Sequence, residues 1–243
     1  MKIIDTRYGG DYVKHFLPRE RELVQALLHP NVVRVWSIVN NGPFVTFVSE
    51  LCEGGDLLQK ILTMTRIPEQ HSKVMFRQLM AAMEYLSSLE IVHRDLKCEN
   101  IFLDQNDNIK LGDFGFARVL PSYNVSSTFC GSRAYVAPEV LSAQPYSGNA
   151  ADIWSAGIVL FVMVSGLMPF DDRDPRRMLK KQTAHAVRFP RDIILSTEVK
   201  KLIMEMLHPL PTYRPTCGTI CNSSWLHGVD GSMRAAPIDR RCN

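Results

Sequence analysis

The stretch that decides how this chain is read is His93–Asn100, HRDLKCEN. It is followed by GDFG at Gly112–Gly115 and by APE at Ala137–Glu139. Taken singly, each has an ordinary reading: a solvated charged turn, a β-hairpin, the start of a helix. In this order and at these separations chance is a poor account of them, so the sequence on either side has to be read for what brings them together.

The totals set bounds. A chain of 243 residues, 46% of them hydrophobic, can bury a sizeable core as one large domain or as two lobes sharing an interface. A formal net charge of +3, with no basic stripe interleaved with aromatics, argues against a nucleic-acid partner. The six cysteines (Cys52, Cys98, Cys130, Cys217, Cys221 and Cys242) are scattered, which points to a reducing, intracellular setting rather than a disulfide framework. Cys217 and Cys221 stand one helical turn apart, but no His/Cys pair at zinc spacing accompanies them, so they read as free thiols. Neither a signal peptide nor a prenylation box is legible. The most apolar run, Ile153 to Leu167, is shorter than the ~20 residues of a membrane span and is flanked by Asp152 and Asp171-Asp172, so a buried central helix is expected and no membrane partner.

Along the chain, the first fifty residues read strand, helix, strand, strand. MKIID is rich in β-branched residues and ends in a turn. In KHFLPRERELVQALL, Phe16, Leu17, Glu20, Leu23, Val24 and Leu27 recur at spacings of three and four, which puts the acid Glu20 near an apolar stripe, where it wants a partner. NVVRVWSIV and FVTFVSEL read as two strands joined by a turn at Asn40–Pro43. Helices follow: PEQHSKVMFRQLMAAMEYLSSL, with Val74, Leu79, Met83 and Leu86 on its core face, a helix resuming at Asp152, and STEVKKLIMEMLHP, with Ser196 as N-cap and Pro209 as a stop. Between them lie short strands in NIFL and NIKLG and a long irregular stretch from Arg118 to Pro138, unusual in a compact domain unless it has a task.

HRDLKCEN, GDFG and APE in this order form the signature set of the protein kinases, and the chain resembles that family to about Leu226. The resemblance implies an α+β, two-lobed fold: residues 1–51 as an incomplete N-lobe of strands and one helix, 52–228 as a mostly helical C-lobe, and 229–243 as a disordered tail. It also implies ATP and Mg²⁺ as cofactors. Phosphoryl transfer is catalysed by positioning and by neutralising charge on the phosphates. Asp95 is then the group that orients the substrate hydroxyl and accepts its proton, and Lys97 steadies the transferring group. Asn100 and Asp113 are the oxygen ligands of the metal ions. Lys2 corresponds to the lysine that contacts the α/β-phosphates, and Glu20 to its partner on the N-lobe helix. Lys97 two places after Asp95, together with CGSRAYVAPE, matches the Ser/Thr branch, and the APE segment implies a protein acceptor.

The same resemblance places the hinge. Glu50 and Cys52 are expected to offer backbone groups to adenine, Asp56 a carboxylate to ribose, and Phe102 a floor beneath the base, with the small Ser49 opening a back pocket. Thr128 matches the activation-loop phosphosite, for an upstream kinase or for autophosphorylation, with Arg94 and Arg118 as its phosphate clamp. Ser132 is expected to bond to the catalytic loop. His93, Phe114, Val24 and Val35 are expected to stack across the lobes onto the helix begun by Asp152, and Arg214 to pair with Glu139.

Matching Lys2 to that lysine implies one departure: the sequence is expected to begin inside the third strand, without the two strands before it and the Gly-x-Gly-x-x-Gly loop. Charge-assisted hydrogen bonds contribute ~1.5–3 kcal/mol each, so losing two costs roughly a hundred-fold to ten-thousand-fold in ATP affinity or rate. Two readings follow, an active kinase and a catalytically weak or inactive scaffold. Within the family, KIIDT, HFLPRE, HRDLKCEN, LGDFGFAR, CGSRAYVAPEVL and MVSGLMPFDD resemble the testis-specific serine/threonine kinases, near the calcium/calmodulin-dependent group. That resemblance implies protein substrates with Ser/Thr acceptors, a role in sperm-cell differentiation and a cytoplasmic location. Asp56 and Glu99 near the peptide groove favour a basic residue upstream of the acceptor.

Overall fold

The β-branched residues at the start of the chain build the first strand of a small antiparallel sheet. Chain order runs β1 (Lys2–Asp5), a π-helical turn at Tyr12–Phe16, α1 (Leu17–Ala26), β2 (Val35–Asn41) and β3 (Phe44–Ser49), with sheet order β1-β3-β2. The computed structural model describes residues 1–8, 10–120 and 131–229. Thr128, Cys130, Cys242 and the expected disordered tail beyond Val229 therefore lie outside the described residues.

The strand expected from Asn31 onward is divided between the lobes. The Val33 N–H donates to the Leu111 carbonyl at 2.8 Å and the Leu111 N–H donates to the Asn31 carbonyl at 2.8 Å. The Asn31 side-chain amide donates to the Ile109 carbonyl at 2.9 Å. Asn31 and Val32 are buried, so their backbone groups need partners away from water: both N–H groups bond to His29, and the Asn31 carbonyl finds Leu111 on the C-lobe. The chain joins β3 only from Val35.

The C-lobe is mostly helical. It comprises α2 (Leu57–Met64), α3 (Glu69–Ser88), β4 (Ile91–Val92), β5 (Ile101–Leu103), β6 (Ile109–Leu111), β7 (Arg118–Val119), α4 (Pro138–Leu141), α5 (Gly148–Ser165), α6 (Pro175–Thr183), α7 (Thr197–Met206) and α8 (Cys217–Cys221). β4 pairs with β7 and β5 with β6, both antiparallel. In α3 the buried face is Met75, Phe76, Leu79, Met80, Met83 and Leu86; Val74, expected on that face, is only half-buried at its rim. Ser196 caps α7 as expected, its hydroxyl accepting from the Val199 N–H at 3.2 Å.

α5 is the core helix. It is long and apolar enough to cross a membrane by length and composition, yet 78% of it is buried inside the fold, where it packs against α7 and α3. It begins at Gly148, a turn earlier than the expected start at Asp152. The reason lies in the approach to β4: a Cβ at Gly148 would fall 2.6 Å from Val92, so only glycine lets the first turn form there. Asp152 is thus inside the helix, and its carboxylate faces back to accept from the His93 N–H at 2.7 Å and the Arg94 N–H at 2.9 Å.

Glu139 and Arg214 meet as a buried two-pronged pair at 2.6 and 2.7 Å. The guanidinium also donates to the carbonyls of Ala150, His208 and Pro209 and lies 5.0 Å from the Trp154 ring. Removing one partner of a buried, fully bonded pair leaves an uncompensated charge, at a cost of about 3–5 kcal/mol. Arg214→Ala is therefore expected to lower the unfolding free energy in urea by about that amount; a loss under about 1 kcal/mol, the range of an exposed pair, would contradict it.

Candidate active site

The site is built at the junction of the lobes by strand β1, helix α1 and loops of the C-lobe. β1 delivers Lys2, whose ammonium donates to Glu20 Oε1 at 2.8 Å and to Asp113 Oδ1 at 2.9 Å. The Glu20 side chain is 4% exposed, while those of Lys2 and Asp113 are 43% and 42% exposed, so the pair opens onto a cleft. Burial alone would weaken the Lys2 charge, but Asp113 and Glu20 outweigh it and hold its pKa above the usual lysine range. For Asp113, burial would raise the carboxyl; Lys2, then His93 and the Gly115 N–H, hold it below the ordinary range instead. Asp113 sits at φ +55°, a left-handed backbone that turns its carboxylate toward Lys2.

The second loop follows β4. Arg94 is held at φ +66°, in a strained region, by the two N–H bonds to Asp152. Asp95 is buried and every contact it makes is specific. Its Oδ1 accepts from the Ser132 N–H at 2.9 Å and the Ser132 hydroxyl at 3.2 Å; its Oδ2 accepts from Lys97 at 3.0 Å and Asn100 Nδ2 at 3.1 Å. Lys97 also donates to the Ser132 hydroxyl at 2.8 Å, so Ser132 bonds to the catalytic loop as expected. Gly131 at φ +95° allows the close approach: a Cβ there would lie 2.6 Å from the Arg94 carbonyl.

Asn100 and Asp113 are brought together by the β5–β6 hairpin, through the Gly112 N–H donating to the Asn100 carbonyl at 2.9 Å. Asn100 spends its amide on Asp95, both on the carbonyl at 2.8 Å and on the carboxylate. That orients its Oδ1 as an acceptor, so with the half-exposed Asp113 carboxylate the pair is a hard-oxygen donor set. Among the described residues no group of three or more His, Cys, Asp or Glu could hold a metal by itself. Two protein oxygens suit a small divalent cation that keeps water and takes its remaining ligands from phosphates.

The residues expected at the hinge are partly engaged within the fold. The Glu50 N–H donates to the Arg34 carbonyl at 2.9 Å, and its side chain is spent on the Arg34 N–H at 2.7 Å and Lys110 at 2.9 Å. The Cys52 carbonyl accepts from the Gly55 N–H at 3.3 Å, so its own N–H is the group left to offer. Burial, with Glu50 adding to it, pushes the Cys52 thiol up to about 11. Asp56 is first a helix cap: one carboxylate oxygen accepts from the Gln59 N–H at 2.8 Å. Phe102 lies below Gly112, where a Cβ would meet both Phe102 and Val33 at 2.9 Å.

Other expected contacts divide. His93 and Phe114 rings are 5.1 Å apart and Val24 is buried, while Val35 is only half-buried. Arg94 donates through Nε to the Phe116 carbonyl at 2.7 Å, and its buried Nη1 has no partner among the described residues; Arg118 lies half-buried in β7. Their joint use as a clamp for Thr128 falls outside the described residues. Cys217 and Cys221 are free thiols, and a cavity of about 250 Å³ between α3, α5 and the segment before α8 is lined by none of Lys2, Glu20, Asp95, Asn100 or Asp113.

Tyr12 was not foreseen. Its hydroxyl donates to Glu20 Oε2, and burial, then Glu20, raise the phenol above the usual tyrosine range. A helix reading that began at Lys14 hid the signal: Tyr12, Phe16 and Glu20 repeat every four residues.

Comparison with known proteins agrees with this arrangement. Residues 1–226 match the protein kinase domain. The chain is 43% identical to testis-specific serine/threonine-protein kinase 1 of Mus musculus, over 99% of this chain and 68% of the relative. It is 42% identical to testis-specific serine/threonine-protein kinase 3 of Mus musculus and 40% to that of Homo sapiens, in each case over 93% of this chain and 85% of the relative. With the lysine, the two carboxylates and the HRD loop meeting in one cleft, the chain belongs to the protein kinase family.

Proposed function

We propose that this chain transfers the γ-phosphoryl group of ATP to serine or threonine hydroxyls of protein substrates. The observation that carries the reading is the convergence of Lys2, Glu20 and Asp113 on one face of the cleft with the Asp95–Lys97–Asn100 network beside it. The relatives are named as serine/threonine kinases and as testis-specific, which supports a Ser/Thr acceptor and a role in sperm-cell differentiation.

In this reading Asp95 orients the acceptor hydroxyl and takes its proton, a role for which a carboxylate fixed by several donors is suited. Lys97, already 3.0 Å from Asp95, adds positive charge where phosphate oxygens become more negative. Asn100 and Asp113 present oxygens to Mg²⁺, which when bound supplies charge neutralisation on the phosphates. Lys2 is the cation for the α/β-phosphates, kept extended by Glu20. The Glu50 carbonyl and Cys52 N–H are the groups for the adenine edge, and Phe102 its floor. Thr128 is the site at which an upstream kinase or the chain itself would add a phosphate, for Arg94 and Arg118 to bind.

Incubation of the chain with MgATP and a serine peptide carrying basic residues upstream is expected to give phosphoserine, and Asp95→Asn to lower the rate about 10²- to 10⁴-fold with the fold retained. Equal rates for the two proteins, or no transfer by the parent, would contradict the proposal.

A second expectation concerns pH. Because the Asp113 carboxyl is held below its unfolded value, its contribution to stability is complete above about pH 4 and is lost as pH falls through the lower folded value. Acid unfolding of Asp113→Asn should accordingly show a shallower slope below about pH 4 than the parent; identical slopes would show that Lys2 does not hold this carboxylate.

A further inference from the structure

Two aromatic rings outside the motifs lie near the Lys2 ammonium, Phe47 at 5.8 Å and Tyr12 at 5.9 Å, and Tyr12 adds a hydroxyl that bonds to Glu20. Tyr12 opens the π-helical turn, and its hydroxyl bonds to Glu20 Oε2 while Lys2 holds Oε1. The Tyr12 ring lies 5.9 Å from the Lys2 ammonium. A Cβ on Gly115 would sit 3.3 Å from the edge of that ring, 3.5 Å from Asp113 Oδ1 and 3.7 Å from Glu20 Oε2, so these three side chains close around one point. Behind the ring, Tyr12 stacks on Phe16 with centroids 6.4 Å apart, and Phe16 meets Phe116 edge-on at 5.4 Å. The aromatic row therefore runs from the start of the helical segment to the residue just after Gly115.

Two physical needs meet at Tyr12. The first is the carboxylate: Glu20 is buried, a buried carboxylate has room for several donors, and one lysine fills only one oxygen. The second is the helix: α1 has no side-chain N-cap, and its first N–H, on Leu17, bonds back to the Tyr12 carbonyl. One residue thus fixes both the entry of α1 and the rotamer of the glutamate that α1 carries.

Resting on the kinase reading above, we infer that Tyr12 is a positioning residue for the phosphoryl-transfer site, holding the second oxygen of Glu20 so that Lys2 stays extended into the cleft. It acts through Glu20 and touches no substrate. Its hydroxyl does the holding; its ring fills the space beside Gly115.

Tyr12→Phe separates the two, because it removes the hydroxyl and keeps the ring. Amide hydrogen exchange of the nucleotide-free protein is expected to quicken across 17–26 and to stay unchanged in α5. Titration calorimetry is expected to give MgATP binding about tenfold weaker than the parent. Glu20→Gln added to Tyr12→Phe should cost no further affinity than Glu20→Gln alone, since the hydroxyl works through that carboxylate; a merely structural role would leave the two losses additive. Unchanged exchange across 17–26, or fully additive losses, would overturn the inference. A parent protein that fails to bind MgATP would count against the kinase reading, and the exchange experiment would still decide the role of Tyr12.

Discussion

The Lys2 ammonium is the point on which this arrangement turns. It is shared between a glutamate on the N-lobe helix and an aspartate on a C-lobe loop, at 2.8 and 2.9 Å, so one side chain at the end of a strand fixes the spacing of two otherwise separate pieces. Its energetic weight is small, because both Lys2 and Asp113 are nearly half-exposed and water screens such pairs. What it contributes is geometry. The heavier connection between the lobes is the backbone pairing of Asn31 and Val33 with Leu111, which joins two buried residues, Asn31 and Leu111, and holds β6 beside the segment leading into β2.

Below the cleft the logic is different. The catalytic loop contains buried polar groups whose satisfaction leaves little freedom. Asp152 holds the backbone of His93 and Arg94, and that grip sustains the left-handed conformation at Arg94. Asp95 then finds donors for both oxygens within the same loop and from Ser132. A partly satisfied network at this depth would cost more than an apolar core, so the complete bonding of Asp95 is what makes a buried carboxylate tolerable. Burial pushes the Asp152 carboxyl up, and the two backbone N–H groups oppose that push.

Much of the site was legible because motif residues carry their own spacing. Lys2 with Glu20, Ser132 on the catalytic loop, and Arg214 with Glu139 all meet as the kinase resemblance implied. What was not legible depends on partners distant in sequence. Hydrophobic alternation cannot tell that Val33 pairs with Leu111 instead of β3, nor that Gly148 packs against Val92 and starts α5 a turn early. Glu50 read as offering a backbone group and Asp56 a carboxylate, yet the Glu50 N–H is spent on the Arg34 carbonyl and one Asp56 oxygen on the cap of α2. Tyr12 escaped because its role depends on a helical repeat that crosses a π turn, where periodicity is least reliable.

The central claim is that Lys2 and Asp113 form one nucleotide site across the lobes, and thermal unfolding with and without MgATP tests it most directly. A ligand at a hundred times its dissociation constant stabilises a folded protein by about 2.7 kcal/mol. The parent chain should melt at a higher temperature in MgATP, and both Lys2→Met and Asp113→Asn should lose most of that shift. An equal shift in all three proteins would place the nucleotide elsewhere and contradict the account.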